Sequence, residues 1–272
     1  MSMYNGLSPE RRRYIRNNNR QKTLITVTRF VVLISIIVLW EVLARLKVID
    51  SFIMSQPSRI IATFSNMMAN GLMKHISVTC LETFIGFILG TLLGTFIAIL
   101  LWWSDFFSRV MEPILVILHS LPKIALGPVI IIWVGAGLQA IVVVAIAISL
   151  IVTILEMLNG FINTDAEKIK MVKTFGAKKA IVFAKVVLPS NIGTLFSSLK
   201  VNIGLSLVGV IAGEFLVSKA GLGYLIVYGG QVFQMDLVMC SVIILALVAA
   251  LMYQAVVLLE KHANRLLKFS TK

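Results

Sequence analysis

The sequence has 272 residues, 58% of them hydrophobic and 14% charged, with a formal net charge of +13. A soluble domain carries about 25% charged residues, so the composition excludes an ordinary globular protein and implies an all-α, polytopic membrane protein. The basic residues flank apolar runs, as the positive-inside rule requires, so the charge implies a lipid membrane and no nucleic acid. Cys80 and Cys240 lie in separate apolar segments, and His75, His119 and His262 are far apart in sequence. These spacings give no disulfide framework, metal site or catalytic triad, and neither a metal nor another cofactor is expected.

Residues 1–23 form a basic leader, RRRYIRNNNRQK at its centre, which is expected to be flexible. The first apolar run, residues 24–44, is long enough to cross a bilayer and reads as a retained first span. Arg29 and Glu41 near its ends can snorkel. Residues 45–76 are mixed: Gln56-Pro57-Ser58 starts a short amphipathic helix with Ile60, Ile61, Phe64, Met67 and Met68 on one side, ending near Gly71.

The second span is predicted over 78–103. It carries Gly86, Gly90 and Gly94, a small-residue stripe that marks a helix-packing face. A polar turn at 104–112 precedes a third span at 113–134. That span contains Pro122, Lys123, Gly127 and Pro128 and is expected to be kinked or broken, which a bilayer tolerates only against protein or a watery cavity. Gly135-Ala136-Gly137 makes a tight turn into the fourth span, 138–158. The fifth span covers 195–216. A Gly-rich loop, GLGYLIVYGG from Gly221, leads to the sixth, 237–259, and residues 261–272 form a basic tail. With the amino terminus inside, the inner segments hold seventeen Lys and Arg against five in the outer segments, so both termini are expected to be cytoplasmic.

Charges inside spans are costly, on the order of 2.5–3.5 kcal/mol at mid-bilayer on insertion scales. Glu156, Lys200 and Glu214 lie near span ends and are expected to snorkel. Pro122 and Lys123 in the broken span, with Glu214, are the candidate pathway residues, and Lys123 would favour anionic or polar solutes.

The interval 164–191 is the one sizeable polar stretch in the second half, with six lysines. Thr164-Asp165-Ala166-Glu167 reads as a capping box with threonine as N-cap. Ile169, Val172 and Phe175 follow at helical spacing as an exposed apolar stripe, and Gly176 is a natural C′ stop. A second helical segment over 177–187 is ended by Pro189.

This interval resembles the EAA loop of binding-protein-dependent ABC importer permeases. The family pattern is Glu-Ala-Ala, three residues, Gly, nine residues, a hydrophobic residue, one residue, Leu-Pro. Lys170-Met171-Val172 occupies the Glu-Ala-Ala places, followed by Gly176, Val186, Leu188 and Pro189. The stretch LPKIALGPVIIIWVGAG from Leu121, and Glu214 with Gly221-Leu222-Gly223-Tyr224, are similar to the nitrate, sulfonate and taurine subgroup. The resemblance covers about residues 77–259. It departs at Lys170, where the family carries an acidic residue, and at Gly193, where a second proline is often found.

The resemblance implies a permease core at 77–260 with a coupling loop at 164–191, in a bacterial cytoplasmic membrane. Ile169, Lys170, Val172, Phe175, Gly176, Leu188 and Pro189 would then couple to a separate ATPase subunit. It also implies an outer solute-binding protein, a second copy of the permease chain, and a cargo such as a sulfonate, taurine, nitrate or a thiamine precursor. The chain itself has no G-x-x-x-x-G-K-[ST] motif and is not expected to be an enzyme. An ion-coupled secondary transporter is the alternative, though it calls for inverted repeats with paired broken helices. An intramembrane hydrolase needs a nucleophile–base or H-E-x-x-H signature that the sequence lacks.

Overall fold

The structure, a computed structural model, describes residues 9–270, and among these every regular element is helical. The chain divides into two compact units, 1–64 and 65–272. In the first unit, α1 (Pro9–Arg45) is one continuous helix. From Pro9 on the leader is therefore helical where flexibility was expected, and residues 1–8 lie outside the described residues. Proline suits the first helical position, no glycine or proline interrupts the following residues, and a helix already nucleated by an apolar run propagates cheaply. The short α2 (Ser51–Met54) is capped by Asp50. Glu41 does not simply snorkel: it pairs with Arg45 at 2.7 Å and accepts the Ser58 N–H at 3.0 Å, in the first turn of α3 (Pro57–Ala69).

The second unit is built on α4 (Leu72–Trp102), α7 (Leu138–Ile162) and α11 (Ile192–Val217), which pack side by side with α7 in the middle. Five helices in the described chain are long and apolar enough to cross a membrane: these three, residues 17–45 of α1, and most of α13 (Met235–Ser270). The pair formed by α5 (Asp105–Ser120) and the segment Lys123–Val134, bent by 82°, passes the same length and composition test together, as a broken span or a re-entrant loop. The expected polar turn at 104–112 is thus the start of α5, because Ser104 accepts the Phe107 N–H at 3.4 Å and initiates a helix there. The carboxyl-terminal tail continues α13 to Ser270.

Sequence explains why α7 is central. Its contact positions are small, so neighbouring backbones come close. A Cβ placed on Gly86 of α4 would sit 2.8 Å from Ala145 Cβ, and one on Gly94 would sit 2.6 Å from Thr153 Cβ. Between them, Gly90 faces Ser149. On the other side of α7, Cβ atoms on Gly209 and Gly213 of α11 would lie 2.5 Å and 2.9 Å from the Cα atoms of Ala145 and Ile141. Asn202, fully buried, ties the three helices together by donating to Thr153 at 2.6 Å and Thr91 at 3.5 Å.

The Gly209 contact is against backbone, which cannot move aside, whereas Gly204 on the same helix has open space around it. Gly209→Ala should therefore cost about 1–3 kcal/mol by overpacking. Gly204→Ala should be neutral or stabilise by up to about 1 kcal/mol through helix propensity. Thermal unfolding midpoints of the two variants in detergent should move in opposite directions or differ by that margin. Equal midpoints would contradict the three-helix crossing.

Candidate functional site

The interval after α7 folds into a tethered hairpin of short helices. Asp165 is the N-cap of α8 (Ala166–Thr174), accepting the Glu167 N–H at 2.9 Å. The expected threonine cap is corrected. The Thr164 hydroxyl donates back to Gly160 O at 3.3 Å and accepts from Asn191 Nδ2 at 2.8 Å, so it closes the preceding helix instead of opening the next. The capping box fails for the same reason, since Glu167 is then only the second helical residue.

Gly176 stops α8 as a C′ residue, with φ of +79°. Its N–H bonds Lys173 O at 2.9 Å, and the Ala177 N–H bonds Val172 O at 3.4 Å, the paired bonds of a Schellman motif. Glycine is needed there because an L side chain at that φ is strained.

The second segment runs on past the predicted stop, through α9 (Lys179–Val182), a π-turn at Phe183–Val187 and α10 (Leu188–Ser190). Pro189 does not end it. Proline has no N–H to give the fourth carbonyl back and its ring crowds that carbonyl. The wider turn, with the Leu188 N–H reaching Phe183 O, relieves both problems ahead of it.

The apolar stripe on α8 divides. Ile169 and Val172, both half-buried, pack on the unit's own core beside Phe161, Val182 and Phe183, so the protein itself covers part of this stripe. Phe175 remains 84% exposed, and Met171, one turn back, is 58% exposed. This pair is flanked by Lys170, which is exposed, while Leu188 and Pro189 lie exposed at the end of the second segment. Helical spacing could have found Met171, because it stands four residues before Phe175.

The sequence also gave no sign of Asn191, which is buried. Its side chain donates to Thr164 Oγ1 and to Val187 O, both at 2.8 Å, and fastens the two ends of the loop together. Lys179 adds a third tether, 3.8 Å from Asp105 of α5 and 5.2 Å from the centre of the Trp102 ring. The loop is thereby joined to the ends of α7 and α11 and to α5.

α5 leads to the break. Pro122 forces Leu121 out of the helical region, to φ −67° and ψ 139°, and α5 stops at Ser120. Lys123 then turns back, and its ammonium donates to His119 O at 2.8 Å, satisfying a carbonyl that the broken helix leaves free. The chain continues through a 3₁₀ turn, Lys123–Leu126, into α6 (Gly127–Val134).

Glu214 stands at the opposite end of the core from the loop, and it is 1% exposed within the chain instead of snorkelling to an interface. The Gly-rich stretch expected to be a loop is instead the helix α12 (Leu222–Gln231). Side chains of α4 and α11 take the four free N–H groups of its first turn. Gly221 N donates to His75 Nδ1 at 3.1 Å, and Leu222 N to Thr79 Oγ1 at 2.8 Å. Gly223 N and Tyr224 N donate to Glu214 at 2.5 Å and 3.4 Å, and Thr79 donates to the other Glu214 oxygen at 2.6 Å. A Cβ on Gly221 would collide with the Glu214 carboxyl, and one on Gly223 would lie 2.7 Å from Oε2, so both glycines admit the acid.

Lys200 pairs with Glu260 of α13 at 2.8 Å instead of snorkelling. Among the described residues no group of His, Cys, Asp and Glu could hold a metal ion.

The bent span, the tethered helix–glycine–helix loop and the Glu214-capped helix all lie in the second unit, and comparison with known proteins gives the family of the chain. The family model described as "Binding-protein-dependent transport system inner membrane component" matches residues 90–268. A Haemophilus influenzae protein named a probable ABC transporter permease is 29% identical, over 80% of this chain and 89% of that protein. A Bacillus subtilis permease named for aliphatic sulfonates transport is also 29% identical, over 83% of this chain and 82% of its own. Among solved structures, an inward-facing MetNI methionine ABC transporter chain has a similar fold, with a TM-score of 0.59 at 20% identity, covering 72% of this chain and 97% of that one. The chain belongs to the binding-protein-dependent transport system inner membrane component family and is a multi-pass permease of the ABC transporter type.

Proposed function

We propose that this chain is the membrane half of an ATP-driven importer, with a separate ATPase subunit seated against α8 and a second copy of the chain completing the pathway. The loop end and both termini face the cytoplasm, and a solute-binding protein delivers cargo to the other side. The observation that carries this reading is the split face of α8. Ile169 and Val172 are rooted in the core, while Met171 and Phe175 stand uncovered on a helix with a defined cap and stop. An exposed aromatic on a rigid helix suits insertion into a partner's groove. The loop then acts as a lever: its base is closed by Asn191 and Thr164, and Lys179 ties it to the broken span that holds Pro122 and Lys123.

The cargo is a small polar or anionic solute. Relatives are named for aliphatic sulfonates, taurine, formylaminopyrimidine and riboflavin, so family membership leaves a choice. A sulfonate, taurine or nitrate offers an anionic group to the Lys123 cation at the break, and a thiamine precursor is the polar alternative without one. Ion-coupled transport would favour paired broken helices, and among the described residues there is one bent pair. ATP is hydrolysed by the partner subunit.

Phe175→Asp should lower ATP-driven uptake roughly 30-fold, the loss of a central aromatic anchor of about 2 kcal/mol, while leaving membrane insertion intact. Uptake by membrane vesicles beside the amount of inserted protein checks this, and normal uptake would remove Phe175 from the interface. Gly176→Val should strain the C′ position by about 1–2 kcal/mol and separate ATP turnover from uptake in the reconstituted complex. Unchanged coupling would refute the lever. Lys123→Met should depress uptake of an anionic cargo more than Lys123→Arg does. Equal uptake by both variants and the parent would remove Lys123 from the pathway.

A further inference from the structure

Beneath the loop lies a cavity of about 430 Å³ that the transport cycle proposed above does not use. Its walls come from the first half of α5, the ends of α4 and α7, and the loop helices. Trp102 and Val182 contribute to an apolar floor, and five charged side chains surround the opening. One cation is already engaged, since Lys179 is held by Asp105 and lies over the Trp102 ring. Arg109 and Lys173 remain, opposed by Glu112, and none of the three forms an ion pair. The cavity thus keeps a net positive charge over an apolar base.

Its depth is informative. α4 ends at Trp102 and α7 at Ile162, and both helices are long and apolar enough to cross a bilayer. The cavity lies at these ends of the two helices, beside Trp102 and Trp103, and with both helices crossing a bilayer it would fall where hydrocarbon gives way to headgroups, a level that suits such aromatics. Basic pockets between membrane helices at this depth suit phospholipid headgroups. A soluble anion would gain nothing from the apolar floor.

We propose that this cavity binds the phosphate of an anionic phospholipid headgroup, with Arg109 and Lys173 as the paired cations and the floor at Trp102 and Val182 against the glycerol portion. Glu112 opposes the phosphate and sets the affinity. The bound lipid then links α5 and α8 through one ligand, in addition to the Lys179 tether.

The test is native mass spectrometry of the full chain, delipidated in detergent and titrated with phosphatidylglycerol, with phosphatidylcholine, and with inorganic phosphate as competitor. Phosphatidylglycerol should be retained in preference to phosphatidylcholine. The double variant Arg109→Gln, Lys173→Gln should weaken its retention roughly 30-fold, at about 1 kcal/mol per basic residue near the surface. Glu112→Gln should strengthen retention, an effect that a general loss of folding cannot produce. Equal retention of the two lipids, an undiminished double variant, or weaker binding by Glu112→Gln would each overturn the proposal. Displacement of the lipid by an equal concentration of inorganic phosphate would also overturn it, by showing that the site takes a free anion.

Discussion

Ala145 is the point at which three membrane helices meet, with the glycine stripe of α4 on one side and the backbone approach of Gly209 on the other. Lipid tails are as apolar as leucine, so helices in a bilayer gain no hydrophobic stabilisation by associating, and close van der Waals contact becomes the main attraction. Interhelical hydrogen bonds such as those of Asn202 average about 0.6 kcal/mol each in membranes. They fix register more than they supply stability. The small side chains of α7 therefore decide how close the layers come, and every element at either end of the core is positioned by that spacing.

Both ends of this core are finished by side chains rather than by their own backbones. At one end, α12 begins without a cap of its own, and His75, Thr79 and Glu214 accept its first-turn N–H groups. At the other end, Asn191 and Thr164 close the base of the loop across 27 residues. Free polar groups away from water are expensive, so these closures hold α12 and the loop in fixed positions on the three-helix core. A core with fastened ends suits the lever proposed for the loop.

Much of this was legible in the sequence, and the failures have physical causes. Hydrophobic length located the spans, the glycine stripe of α4 was visible at i, i+4 spacing, and the loop was recognisable from Gly176, Leu188 and Pro189. The helix at 222–231 was missed because its caps lie in distant segments, at His75, Thr79 and Glu214, where local sequence has no access to them. Asn191 was missed likewise, since its partner Thr164 looked like a cap for the following helix. Asp165, the next residue, competes for that position and wins, which frees Thr164 to close the loop. Pro189 read as a stop because a π-turn that accommodates proline has no simple sequence signature. On α8, periodicity correctly gave an apolar face but could not say that the protein itself would cover Ile169 and Val172.

The central claim is that loop and core move as one body when the partner ATPase cycles. Spin labels at Lys170→Cys on α8 and Leu92→Cys on α4 would report the distance between loop and core, in the assembled complex with and without nucleotide. The account predicts a distance within one chain that stays constant, while the Lys170→Cys distance between the two copies changes on ATP binding. A change in the loop-to-core distance with no change between copies would contradict it.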